Sequence, residues 1–66
     1  MFTVEIRNPY ATKLRFRGAF GTKEEATAYA KEQARTSRKF CTFTVCAGTP
    51  RDPSEPISGL KFEGEQ

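Results

Sequence analysis

Phe2, Val4 and Ile6 alternate with Thr3, Glu5 and Arg7. A period of two with a β-branched bias is what a half-buried strand requires, and it predicts the first strand. Asn8-Pro9-Tyr10-Ala11-Thr12 comes next. Pro9 cannot donate to a sheet ladder and Asn before Pro favours a turn, so the chain reverses there. Leu14, Phe16 and Phe20 then share one side and Lys13, Arg15 and Arg17 the other, which predicts a second strand, hairpinned to the first, with a purely cationic outer side. Gly18 falls at an inward position between two phenylalanines, where a glycine marks a bulge or leaves room for a helix.

Gly21-Thr22-Lys23-Glu24-Glu25 carries the clearest local signal. Thr22 as N-cap with Glu25 three residues on forms a capping box, worth about 1 kcal/mol at the cap, and Glu24 and Glu25 suit the positive end of a helix dipole. Ala26, Tyr29, Ala30, Gln33 and Ala34 recur at helical spacing, so the inward face is mostly alanine and lets the helix lie close on a sheet. Lys23, Glu24, Thr27, Lys31, Glu32 and Arg35 make the other face a solvated mixture of charges. Arg35, Arg38 and Lys39 gather where the helix should end. Cations there can complete the last carbonyls and the dipole, or contact phosphate.

Residues 40–47, FCTFTVCA, predict a third strand. Phe43 and Val45, with Cys41 and Ala47, face the helix in that reading, and Phe40, Thr42, Thr44 and Cys46 the open side. A hairpin followed by a helix and a returning strand gives a fully antiparallel sheet when the third strand lies beside the first. The expected fold is therefore α+β: one helix packed on a three-stranded antiparallel sheet (ββαβ, order 2-1-3), a compact unit over residues 1–47. Its helix covers Phe2, Val4, Ile6, Leu14, Phe16, Phe20, Phe43 and Val45. Residues 48–66 form a Pro-rich extended tail, with Pro50, Pro53 and Pro56 spaced by three. The alternation in LKF leaves room for a short fourth strand on a sheet edge at 59–63, and Glu63-Gly64-Glu65-Gln66 should fray.

Composition narrows function by exclusion. Sixty-six residues make one small domain in which a deep catalytic cleft would remove much of the core. The chain has no His and no Trp, so the commonest acid/base and the commonest nitrogen ligand for metals are missing. It has no phosphate-binding glycine loop and no activated nucleophile. Neither an enzyme nor a cofactor or metal is expected. Cys41 and Cys46 fall on opposite faces of one strand, too far apart to bridge. They read as one buried hydrophobe and one free thiol, with an intermolecular disulfide through Cys46 as the alternative. FTVEIR is neither a secretory signal nor a membrane span, so a cytoplasmic protein is expected.

Charge adds the partner class. Residues 1–51 hold ten Lys/Arg against Glu5, Glu24, Glu25 and Glu32, for +6, while residues 52–66 carry −3. A basic body points to an anionic partner, either nucleic acid or an acidic protein surface. The expected open face is Thr3, Glu5, Arg7, Lys13, Arg15, Arg17, Phe40, Thr42 and Thr44, in which Glu5 pairs across the sheet with its arginine neighbours. The candidate partner-binding residues are Arg7, Tyr10, Lys13, Arg15, Arg17, Arg35, Arg38, Lys39 and Phe40.

Two resemblances meet these residues. Gly18, Phe20, Thr22, Glu24, Glu25, Ala26 and Tyr29 match a G-x-F-x-T-x-E-E-A segment similar to one in plant ethylene-response-type DNA-binding domains and in the arm-type domains of tyrosine integrases. That resemblance implies DNA binding by a three-stranded sheet, although those domains set all three strands before the helix. The order FTVEIR, LRFRGAF, helix, FCTFTV resembles the strand-strand-helix-strand plan of many tiny phage-encoded proteins, among them inhibitors of host RNA polymerase and anti-CRISPR proteins. The cell-wall-binding sporulation domain has a related plan. The second resemblance implies a non-enzymatic inhibitor that docks on a bacterial host protein or ribonucleoprotein complex through its basic sheet face. The alternative is a nucleic-acid-binding module using the same face. Either a monomer or a homodimer paired through the edge of strand two or three fits the pattern.

Overall fold

In a computed structural model, which describes residues 1–11 and 14–66, the helical stretch and the alternating stretches of the first and third strands fold as their spacing requires. The elements are β1 (Phe2–Arg7), β2 (Arg15–Phe20), α1 (Lys23–Arg35), β3 (Thr42–Gly48) and β4 (Pro53–Glu63). They form one helix and a four-stranded antiparallel sheet in the order β2-β1-β3-β4. The fold is thus the expected α+β plan, with the fourth strand present.

Thr22 caps the helix as read: the Glu25 amide donates to Thr22 Oγ1 at 3.1 Å, while the Glu25 carboxylate closes back on the Thr22 hydroxyl, which donates to Oε1 at 3.1 Å, rather than on its backbone N–H. Ala26, Ala30 and Ala34 are the buried residues of α1 and meet Val4, Phe43 and Val45 from the two central strands. Three methyl groups in a row let the helix backbone approach the sheet closely. Phe20, Tyr29, Leu60 and Phe62 close the margins of this core.

β2 departs from its expected register. Ile6 pairs with Arg15, Glu5 with Phe16 and Val4 with Arg17, but Phe2 pairs with Phe20, so Thr3 alone faces both Gly18 and Ala19. Residues directly opposite one another in an antiparallel pair share a face. Arg15 and Arg17 therefore lie on the helix side with Ile6 and Val4, and Phe16 lies on the open side with Glu5. The expected cationic outer face and the burial of Leu14 and Phe16 under the helix are both corrected; Leu14 is 48% exposed. The cause is the bulge, centred on Gly18 at φ +82°. One extra residue reverses the side-chain phase of everything before it. Phe20, after the bulge, keeps its inward position, with its ring 5.3 Å from that of Tyr29.

β4 begins at Pro53, earlier than the stretch 59–63, and runs along β3, pairing Gly48 with Pro53, Cys46 with Pro56 and Thr42 with Glu63. An edge strand tolerates Pro53 and Pro56 because only one side of it is needed for pairing. Since β4 covers β3, the free edges of the sheet are β2 and β4, and a homodimer through the edge of β3 is not available. Cys46, expected on the open side, is 1% exposed. With β4 packed alongside, its thiol is not placed for an intermolecular disulfide.

The last residues do not fray. Gly64 N–H donates to Cys41 O, Glu65 N–H to Ala34 O and Gln66 N–H to Ser37 O, each at 2.9 Å. The end of an α-helix leaves carbonyls without intrahelical partners, and the tail supplies them: besides Ala34 O, Gln66 Nε2 donates to Arg35 O at 3.2 Å. Gly64 is required for this approach, since a Cβ there would run into the carbonyl of Arg38. Among the described residues, no helix is long and apolar enough to cross a membrane.

Candidate partner-binding site

Antiparallel pairing places the end of β1, the start of β2, the C-terminus of α1 and the start of β3 at one end of the molecule. Two turns there present aromatic side chains. In the first, the Tyr10 amide donates to Asn8 Oδ1 and the Ala11 amide to Asn8 O, both at 2.9 Å. This side-chain-capped turn explains why Asn precedes Pro9. In the second, Cys41 N–H donates to Arg38 O at 3.0 Å. Tyr10 and Phe40 meet edge to face with centroids 4.9 Å apart and planes at 88°. They remain 81% and 43% exposed, so both rings present apolar surface to solvent at this end.

The cations around this pair differ in what they already do. Arg35 bonds Glu32 Oε1 at 2.6 Å. That hydrogen bond and its charge hold the Glu32 carboxyl below its ordinary value and raise the Arg35 guanidinium, with Glu65 adding to the latter. Arg7 reaches Glu5 at 3.5 Å. Arg15, Arg17, Arg38 and Lys39 form no ion pair among the described residues. The reading in which Arg38 and Lys39 complete the helix carbonyls is not needed, because the tail, Thr36 and Ser37 bond them. Lys13 lies outside the described residues.

Between α1 and β2, beside the aromatic pair, runs a groove of about 440 Å³. Arg15 and Arg17 line it with Asn8, Tyr29, Gln33 and Ser37, and among the described residues its lining contains no carboxylate. The opposite face of the sheet holds a second depression, about 440 Å³, where Glu5 offsets Arg7 and Lys61 among Thr42, Thr44 and Pro56. The cationic surface is therefore the helix-side groove and the adjoining end, not the open sheet. Sequence periodicity missed this groove because the count ran straight through Gly18; treating that glycine as a bulge would have found it. Among the described residues, no cluster of His, Cys, Asp and Glu could hold a metal ion.

No family model, curated protein or solved structure matches this chain. Among the described residues, its own geometry offers the exposed Tyr10–Phe40 pair, an acid-free groove with two arginines, and two further cations on the turn between α1 and β3. Of the nine candidate residues, Arg7, Tyr10, Arg15, Arg17, Arg38, Lys39 and Phe40 stand at or next to this end, with Arg7 paired to Glu5; Arg35 is engaged by Glu32, and Lys13 lies outside the described residues.

Proposed function

We propose that the protein is a small non-enzymatic binding protein, of the kind encoded by phages and mobile elements, that docks on a bacterial protein or ribonucleoprotein complex. Its docking surface is the end carrying Tyr10 and Phe40 with Arg7, Arg38 and Lys39, continued into the Arg15/Arg17 groove. The observation that carries this reading is the exposed Tyr10–Phe40 pair beside Arg38 and Lys39, which form no ion pair among the described residues. Aromatic and arginine side chains that are pre-held by packing lose little entropy on binding and dominate interface energetics. A pair that already meets edge to face at 4.9 Å is such an anchor. A cytoplasmic location and an inhibitory role belong to the same proposal.

A second reading, direct nucleic-acid binding, draws on the freedom of Arg38 and Lys39 from helix capping. It no longer uses the sheet as a platform, since the open face mixes Glu5 with Arg7 and Lys61. Binding assays separate the two readings. The docking reading expects a specific protein or ribonucleoprotein partner lost with Tyr10→Ala/Phe40→Ala. The alternative expects binding to plain DNA or RNA whose salt dependence falls by about one unit for each phosphate-contacting cation removed.

A further inference from the structure

We propose that the outer edge of β2 is a docking edge for one extended strand of a partner protein whose side chains alternate between acidic and apolar. This rests on the protein-docking reading above and names the contact it makes beside the aromatic pair.

β2 is an end strand of the sheet and pairs with β1 alone. Among the described residues, no backbone group of residues 15–20 bonds outside the sheet except Arg17 O, which accepts from the Thr3 hydroxyl. The strand RFRGAF contains no proline, so an added strand can continue the ladder along it before the bulge. An added strand's residues opposite Arg15 and Arg17 would face the helix side at the rim of the acid-free groove. Those opposite Phe16, which is half-buried on the open side, would lie beside its ring. Opposite charges directly across a ladder stabilise it and like charges destabilise it. The register therefore selects acidic residues on one face of the incoming strand and apolar ones on the other.

The same arginines disfavour a second copy of this chain along residues 15–17. A two-fold antiparallel pairing of β2 centred on Phe16 sets Arg15 against Arg17 twice, and one centred on either arginine sets that residue against itself. A nucleic-acid strand could meet the guanidinium groups but offers no ladder of amides to the edge.

The test uses the isotope-labelled chain and two short synthetic peptides, one alternating Glu and Val, the other Lys and Val. The Glu/Val peptide should shift the amide signals of residues 15–18, slow hydrogen exchange at those of these amides that point away from β1, and bind about tenfold more tightly than the Lys/Val peptide at low salt. R15Q/R17Q should abolish that preference while the remaining amide spectrum stays folded, and R15E/R17E should reverse it. Equal binding of the two peptides, shifts confined to other strands, tighter occupation of the β2 amides by an oligonucleotide, or self-association through β2 would each overturn the proposal. A peptide preference with no Tyr10/Phe40-dependent partner would remove the docking reading and leave the edge, whereas the converse would remove the edge alone.

Discussion

The hydroxyl of Thr3 donates to the carbonyl of Arg17 at 3.1 Å, across the point where β2 carries one residue more than β1. Thr3 is fully buried, and its hydrogen bond occupies a carbonyl beside the break in the ladder. The bulge decides which way Arg15 and Arg17 point. Thr3→Val should cost about 0.5–1.5 kcal/mol by leaving that carbonyl without its side-chain donor. Gly18→Ala should cost more, about 1–3 kcal/mol, because φ +82° disfavours a Cβ and the new methyl would run into the Phe20 ring. Urea denaturation of both variants checks the order; a neutral Gly18→Ala would mean the bulge is absent.

Gly64 and the carbonyl of Arg38 set a second expectation. Gly64→Ala should lift the tail from the end of α1 and destabilise the fold by about 1–3 kcal/mol. Amide exchange at Glu65 and Gln66, now bonded to Ala34 O and Ser37 O, should quicken more than exchange in β1. Unchanged exchange at those two amides would show the clip to be unimportant.

Ala30 is fully buried between α1 and the sheet. Ala30→Leu should overpack the close helix–sheet contact and cost about 1–3 kcal/mol, although leucine is a good helix former. An equal or higher urea midpoint would contradict a tightly packed alanine face.

These positions show what was legible in the sequence. The alanine face, the Thr22–Glu25 box and the alternation of β1 and β3 are local patterns with one burial solution, and the fold results from them. The phase of β2 was not legible, because a bulge at Gly18 and a continuous strand have the same composition and differ only in pairing with Thr3. The ordered end of the chain was hidden for a related reason. Gly64-Glu65-Gln66 has no apolar pattern and is held by backbone bonds to helix carbonyls that no periodicity reports. Tyr10 and Phe40 were visible as residues, but their contact joins two turns far apart in the chain.

Burial pushes the Cys46 thiol above its ordinary value; the nearby Glu5 carboxylate adds to this, and a backbone hydrogen bond at Glu5 opposes it. A thiol whose folded pKa is raised contributes stability that is fully present below the unfolded thiol pKa and lost as pH rises through the folded one. The wild-type chain should therefore lose more stability than Cys46→Ala between neutral and alkaline pH. In the native protein at neutral pH, iodoacetamide should modify half-buried Cys41 before Cys46. Parallel pH slopes for the two chains, or faster labelling of Cys46, would contradict this.

The central claim is that the Tyr10–Phe40 end docks a protein or ribonucleoprotein partner. The direct measurement is affinity capture from bacterial lysate with the wild-type chain, then dissociation constants for the purified partner with wild type, Tyr10→Ala/Phe40→Ala and Arg38→Glu/Lys39→Glu. The account predicts one specific partner, bound at least about tenfold more weakly by each double variant while both stay folded. Failure to capture any partner, or equal binding by all three folded chains, would contradict it.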